Sequence, residues 1–385
     1  MHYLRILRPP TLTSERGGWT VPLVLTITTD LSDALLSLPN PIKFKIGLYE
    51  ASADAGGRRV PPEEVKVSRI LDWTPGTRVL KTELRLPPGP RPTAPLRVFA
   101  FPSAQLWGGS TADVVVSMKS QAQGRIMPVW ADVHAGDDAP AYLCTRRLRI
   151  GPETSSTCLE IEEELGESLA RHIWDGGVAT ACLLLEQANP SDAEAPKSAI
   201  FDSLATTSPA SIVEIGCGVG TLGLAAALWR NVEADVLMTD LPDAKARAEA
   251  NISRWTAQHL GDNTRIPKFE ALDWQDGMKG VFGPELGSRL WDLVILSDCT
   301  YNIDVLPALV GTLSALHDHR GKQAGPTDVP WETRVLIATK QRHSSEEAVF
   351  RMMADDGWVV AEAETFPLLN LGAETQSLQL FLYKK

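Results

Sequence analysis

The sequence predicts two regions of different construction: a β-rich sandwich or open barrel over residues 1–150, then an α/β region with a doubly wound, mostly parallel sheet over 151–385. Three observations carry this. Short segments of period two crowd the first region, with no convincing helical periodicity among them. From about residue 159 apolar strands alternate with helical segments, the pattern of a doubly wound sheet. One of those strands runs into a glycine-rich turn, "EIGCGVG" at 214–220, at the strand end where such sheets bind ligands.

Composition bounds the function. A chain of 385 residues is long enough for two domains, and 44% hydrophobic with 22% charged residues is ordinary for a globular protein. The net charge of −11 disfavours nucleic acid or an anionic membrane and favours a basic substrate segment. The five cysteines, at 144, 158, 182, 217 and 299, form no CxxC pair. Reduced thiols in the cytoplasm or nucleus are therefore expected, without a disulfide framework or zinc site. Neither a signal peptide nor a membrane span is expected from the apolar runs. "HDH" at 317–319 has metal-ligating residue types but falls in a polar stretch, so no metal is assigned to it.

In the first region the expected strands are "PLVLTITTD", "KFKIGLYE", "EVKVSRILDW", "RVLKTELRL", "PLRVFAF", "ADVVVSMK", "MPVWADVHA" and "YLCTRRLRI". Phe44, Ile46 and Leu48 share one face of the second, the mark of a half-buried strand. Turn residues separate them at 55–58, 74–77 and 135–140. About eight short strands suit a sandwich or open barrel. The prolines at 87–95 read as a surface loop.

In the second region "LEIEEELGESLARHIW" and "GVATACLLLEQ" read as helices. Buried strands follow in "SIVEIG", "ADVLMTD", "PKFEALDW", "WDLVILSD", "RVLIATK" and "SLQLFLYKK". Helices fit at about 219–230, 243–259, 303–317 and 344–356, and the polar stretches 189–209 and 317–330 read as loops.

The glycine turn carries the chemistry. Gly216, Gly218 and Gly220 let the backbone turn sharply and approach a ligand where a Cβ would collide. The spacing is not the G-x-G-x-x-G of a dinucleotide site, because Thr221 holds the last position, and no Gly-Lys-Ser/Thr follows. Asp240 ends the second strand, 24 residues after Gly216. A carboxylate there suits two ribose hydroxyls, or else it caps the next helix. A tight strand-to-helix turn without a ligand is the plainer alternative.

With Glu214 two residues before the first glycine, E-x-G-x-G-x-G resembles motif I of the class I methyltransferases, which bind S-adenosylmethionine. On that resemblance Asp273 meets the adenine amino group and Trp274 packs on the ring, unless Trp274 is only core. The fourth strand ends in Ser297, Asp298, Cys299, Thr300, Tyr301. It lacks the Asp/Asn-Pro-Pro-Tyr/Phe of enzymes acting on planar amino groups. Its D-x-x-Y resembles the seven-β-strand protein-lysine methyltransferases, methyltransferase family 16. "RHIWDGGVATACLLLEQ", "MTDLPDAKARAEANI", "ALDW" and "IATKQRHSSEEAVF" are similar to that family's elements, over residues 159–385. The first 150 residues lie outside the resemblance, although some members carry N-terminal extensions.

The resemblance implies a Rossmann-like seven-stranded sheet and S-adenosylmethionine as cofactor. Its contacts would be Trp174, Glu214, Gly216, Cys217, Gly218, Gly220, Asp240, Asp273, Trp274 and Ser297. Asp298 and Tyr301 would face the substrate amine, a lysine of a protein, with a translation factor among the substrate types that family members modify. Many members have alanine or glycine where this chain has Cys217 and Ser297; both replacements are small. Asp298 has a plainer reading as a helix cap. His172 and His343 are the nearest candidates for a base, each better read as a surface or core histidine. Two other functions stay open: a small-molecule or nucleic-acid methyltransferase, and a cofactor-binding module without turnover whose strand-rich region serves assembly.

Overall fold

Period-two alternation becomes two sheets in the computed structural model, which describes residues 1–15, 18–51, 65–119, 122–136, 139–165, 171–193, 195–229, 234–259, 261, 265–324, 332–342, 344–372 and 374–385. The strands are β1 (His2–Ile6), β2 (Thr13–Glu15), β3 (Gly18–Thr28), β4 (Ile42–Glu50), β5 (Val65–Trp73) and β6 (Leu80–Arg85). They continue as β7 (Leu96–Pro102), β8 (Ile126–Met127), β9 (Val129–Asp132), β10 (Leu143–Arg149) and β11 (Cys158–Glu164). One sheet runs β2-β3-β1-β8 with β6 also on β3; the other runs β11-β10-β9-β7-β4-β5. Leu23, Leu25 and Ile27 of β3 share an apolar core with Phe44, Ile46 and Leu48 of β4. The two sheets therefore face each other as a sandwich, not an open barrel.

Three expectations of this region change. "ADVVVSMK" forms α1 (Thr111–Val116) instead of a strand. The Ser110 side chain accepts from Asp113 N–H at the helix start, and Val114 and Val115 are buried, so cap and packing override β propensity. "LEIEEE" is β11, not helix. Glu160 and Glu163 point to opposite faces of the strand and meet arginines of β10, with Arg147 Nε 2.7 Å from Glu160 and Arg146 Nε 2.7 Å from Glu163, while Glu162 meets Arg247 and Arg254. The strand-rich pairing thus runs to Glu164, beyond the boundary expected near 150. The turn at 55–58 lies outside the described residues, as do 137–138 of the turn at 135–140.

The second region forms α2 (Asp175–Ala188), α3 (Ala199–Thr207), β12 (Ser211–Ile215), α4 (Thr221–Ala226), β13 (Asp235–Asp240) and α5 (Lys245–His259). After these come β14 (Lys268–Ala271), α6 (Trp274–Gly277), β15 (Leu293–Ser297), α7 (Leu306–Ala324) and β16 (Arg334–Lys340). The chain closes with α8 (Ala348–Asp355), β17 (Val359–Leu368) and β18 (Gln376–Lys384). The seven-stranded order is β14-β13-β12-β15-β16-β18-β17. All pairs are parallel except those of β18, which runs antiparallel to both neighbours. The order turns back between β12 and β15, which opens a crevice at their C-terminal ends.

Two stretches expected as loops are helical in part, Ala199–Thr207 within 189–209 and the start of 317–330 as far as Ala324, while 194 and 325–330 lie outside the described residues. α3 starts at Ser198, whose side chain accepts from Phe201 N–H. α7 carries His317 and His319, which bond Thr333 Oγ1 and the Gly287 carbonyl. Among the described residues no group of three or more metal-ligating side chains forms, and no helix is long and apolar enough to cross a membrane.

The two regions share a core. Tyr3, Val114, Val115, Met118, Met127 and Leu148 pack in one cluster with Val178, Cys182, Leu185, Leu222 and Ile295. A strand-rich region that folds and detaches by itself does not fit this packing. Each fully buried side chain of this kind contributes about 1.5–3 kcal/mol, against a total stability of roughly 5–15 kcal/mol. A chain starting at Thr154 should therefore show no cooperative unfolding transition by calorimetry. A soluble fragment that melts cooperatively would show that the shared core is dispensable.

Candidate functional site

After β12 the chain reverses across the end of β13. Gly216 and Cys217 N–H both donate to the Thr239 carbonyl, at 2.8 and 3.0 Å. Gly216 has φ +70°, and a Cβ there would lie 2.5 Å from Cys299 Sγ, so only glycine fits. Gly218 N–H donates to Asp240 Oδ2 and Leu241 N–H to Asp240 Oδ1, each at 2.7 Å. One carboxylate thus fixes the glycine turn and the exit of β13. Burial raises its proton affinity while the two amides oppose that shift.

A cavity of about 360 Å³ opens beside this turn, at the C-terminal edge of the sheet, within the roughly 300–1,000 Å³ range of small-molecule sites. Glu214, Gly216, Cys217, Gly218 and Asp240 border it from one side. Trp174, Asp273, Trp274, Ser297, Asp298 and Tyr301 border it from the others. Gly220 is not in its wall; it precedes the first turn of α4. Asp273 also caps α6, accepting from Gln275 N–H at 2.8 Å. Glu214 is buried and accepts from Gly223 N–H at 2.9 Å; burial pushes its carboxyl up to about 8. The Thr221 hydroxyl borders the cavity and is buried without a hydrogen-bond partner. An orphaned hydroxyl, a two-oxygen acceptor and a glycine-rich turn fit a ribose-bearing ligand.

Asp298 and Tyr301 are brought to the same cavity but not to the same environment. Tyr301 is 59% exposed at the rim, whereas Asp298 is 7% exposed. Asp298 holds φ +53°, a left-handed conformation that aspartate visits at some cost. Its Oδ2 accepts from Gly177 N–H at 3.1 Å, which caps α2 from across the sheet, not the helix that follows it. A Cβ on Gly176 would sit 2.4 Å from that oxygen. Its Oδ1 accepts from Arg342 at 2.8 Å. Burial raises the Asp298 carboxyl and the Arg342 guanidinium pulls against it.

Arg342, Leu31, Thr221 and Gly177 also border the cavity and were not singled out from the sequence. Thr221 was visible only as the residue that breaks the dinucleotide spacing. Leu31 lies in the strand-rich region and carries no local signal. His172 borders the cavity, with Nδ1 3.5 Å from Glu163 Oε2. His343 lies outside the described residues.

The family described as lysine methyltransferase matches residues 153–356. A UPF0665 family protein of Schizosaccharomyces pombe is 23% identical over 361 residues, covering 93% of this chain and 94% of its own length. A precorrin-6y C5,15-methyltransferase of Geobacter metallireducens is similar in structure at 10% identity and a TM-score of 0.30, covering 46% of this chain and 78% of its own. An O-methyltransferase of Bacillus cereus, solved in complex with SAH, is 11% identical with a TM-score of 0.31, covering 46% of this chain and 75% of its own.

The Glu214 carboxyl generates a stability prediction. Its folded value of about 8 lies above its ordinary 4.5. The stabilisation from burying it protonated is complete below pH 4.5 and is lost as pH rises through 8, at up to about 1.4 kcal/mol per pH unit. Glu214→Gln removes the titration and keeps an acceptor for Gly223. Thermal melts should show the variant gaining on wild type steadily from pH 4.5 to 8. Parallel curves would mean that Glu214 is ionised in the fold.

Proposed function

This chain belongs to the lysine methyltransferase family, and from that premise we propose that it methylates a lysine side chain of a protein substrate. Its cofactor is S-adenosylmethionine, which when bound supplies an electrophilic methyl group on a sulfonium. Asp240 would keep lone pairs for the ribose hydroxyls, Thr221 would offer its free hydroxyl, and Trp274 and Asp273, which border the same cavity, would meet the base. The observation that carries the proposal is that one cavity borders both the glycine turn and the Asp298–Tyr301 pair.

A lysine ammonium has no lone pair, and its reference pKa is about 10.4. Moving it from the exposed rim at Tyr301 toward the buried end of the cavity strips water, which lowers that pKa, while the Asp298 carboxylate pulls it the other way. Asp298 orients the ammonium and, with proton affinity raised by burial, helps the proton leave. The freed lone pair would then be available to take the methyl group, the nitrogen–carbon bond forming as the carbon–sulfur bond breaks and the sulfur keeping that electron pair. Holding the two reactants in that geometry can supply about 7–11 kcal/mol. The net charge of −11 suits a basic substrate segment and counts against nucleic acid. Leu31, Leu241 and Tyr301, all exposed and all bordering the cavity, offer an apolar rim for the residues flanking that lysine. Because members of the family it resembles modify translation factors, such a factor is the substrate to test first.

Two measurements test this. With radiolabelled cofactor in cell lysate, label should enter protein and be recovered as methyl-lysine after acid hydrolysis. Label confined to RNA or to small molecules would overturn the protein-lysine reading. For the cofactor, Asp240→Ala should cost on the order of 1–3 kcal/mol of binding by calorimetry; unchanged affinity would remove Asp240 from the ribose site.

A further inference from the structure

Asp30 follows β3 in the strand-rich region and is 4% exposed. Its carboxylate gathers four donors. Oδ1 accepts from Lys340 Nζ at 2.8 Å and from Leu31 N–H at 3.0 Å. Oδ2 accepts from Arg342 Nη2 at 2.8 Å and from Asp175 N–H at 3.3 Å. The other terminal nitrogen of Arg342 donates to Asp298 Oδ1 at 2.8 Å and to the Lys340 carbonyl at 3.3 Å. The guanidinium also stands 5.2 Å from the centroid of the Trp174 ring. Arg342 is therefore pinned in one orientation by two carboxylates and an indole face, and its Nε is buried with no hydrogen-bond partner.

We propose that Asp30 is a positioning residue for methyl transfer: it holds Arg342, and Arg342 sets the Asp298 carboxylate at the cavity. The proposal rests on the reading that Asp298 meets the substrate amine. An arginine side chain has several rotatable bonds, and a planar fork spanning two carboxylates removes that freedom. Asp298 cannot hold its place through the Gly177 amide alone, because one hydrogen bond leaves the carboxylate free to rotate about it. Leu31, the next residue, borders the cavity. Two consecutive residues of the strand-rich region thus supply an anchor and part of the wall, so the site is shared between the regions.

The test is a double-mutant cycle on the full chain. Asp30→Asn should lower kcat about tenfold or more while the affinity for S-adenosylmethionine stays within about twofold. In an Asp298→Asn background the same substitution should change kcat by less than about twofold, because the path through Asp298 is already broken. Additive losses would overturn the proposal by showing that Asp30 acts only through general stability. Should Asp30→Asn fail to fold, Arg342→Lys replaces it in the cycle. It keeps the charge but cannot span both carboxylates, and wild-type kcat in Arg342→Lys would overturn the proposal. A crystal structure of Asp30→Asn gives a readout without turnover. Arg342 swung away from Asp298 supports the positioning role, and Arg342 still seated on it overturns that role. If the wild type itself transfers no methyl group to lysine, the proposed function fails while the crystallographic arm still decides what holds Arg342.

Discussion

The ion cluster beneath the cavity is the constraint on which the rest depends. Asp30 meets Lys340 and Arg342, Lys340 reaches Asp175 at 2.7 Å, and Arg342 reaches Asp298. Tyr3 of β1 donates its hydroxyl to the same Asp175. These residues come from the sandwich, the start of α2, the end of β15 and the end of β16. Charges stripped of water are costly unless each finds a partner, and removing one partner from a buried pair destabilises by about 3–5 kcal/mol. The cluster therefore ties the order of four elements together. The sandwich cannot shift against the parallel sheet without leaving a charge unpaired.

Above the cluster, the electrostatics of the cavity suit positive ligands. Glu214, Asp240, Asp273 and Asp298 border it, while the guanidinium of Arg342 is already shared between Asp30 and Asp298. In the proposed reaction a sulfonium and a lysine ammonium, both cations, are brought close together, and such a wall offsets their repulsion. Burial raises the proton affinity of Glu214, Asp240 and Asp298 alike. Neighbouring carboxylates in a dry pocket do not all ionise together. Cations entering it would therefore draw the carboxyls toward their charged forms.

The features legible in the sequence are those encoded within a few residues. The glycine turn, Asp240 at a strand end and D-x-x-Y all sit where a doubly wound sheet puts its ligands, and the parallel strands were visible as apolar runs. Features set by distant partners were not. The valines of α1 read as strand because their helix depends on the Ser110 cap and on burial against α2. The glutamates of β11 read as helix because arginines that neutralise them lie on other elements, Arg146 and Arg147 on β10 and Arg247 and Arg254 on α5. Leu31, and the link from Asp30 to Arg342 across 312 residues, leave no local pattern at all. Asp298 itself was found, but its environment was not. The spacing to Tyr301 suggested that both face one pocket, and it says nothing about their unequal burial or about Gly177 and Arg342.

That inequality bears on the order of events in the proposed reaction. Tyr301 stands at the exposed rim and Asp298 at the buried end of the same cavity. An incoming amine at the rim is still hydrated and cationic, so the tyrosine can grip the aliphatic stem and accept from the ammonium without demanding its proton. Deprotonation becomes easier farther in, where desolvation lowers the amine's pKa and burial raises that of Asp298, so the two approach each other. Arg342 limits this convergence by holding Asp298 toward its ionised form. A more acidic carboxylate would orient the ammonium but take its proton less readily; one without a cation beside it would be drawn further toward its protonated form. Sharing Arg342 with Asp30 divides its charge between two carboxylates, which weakens its pull on Asp298.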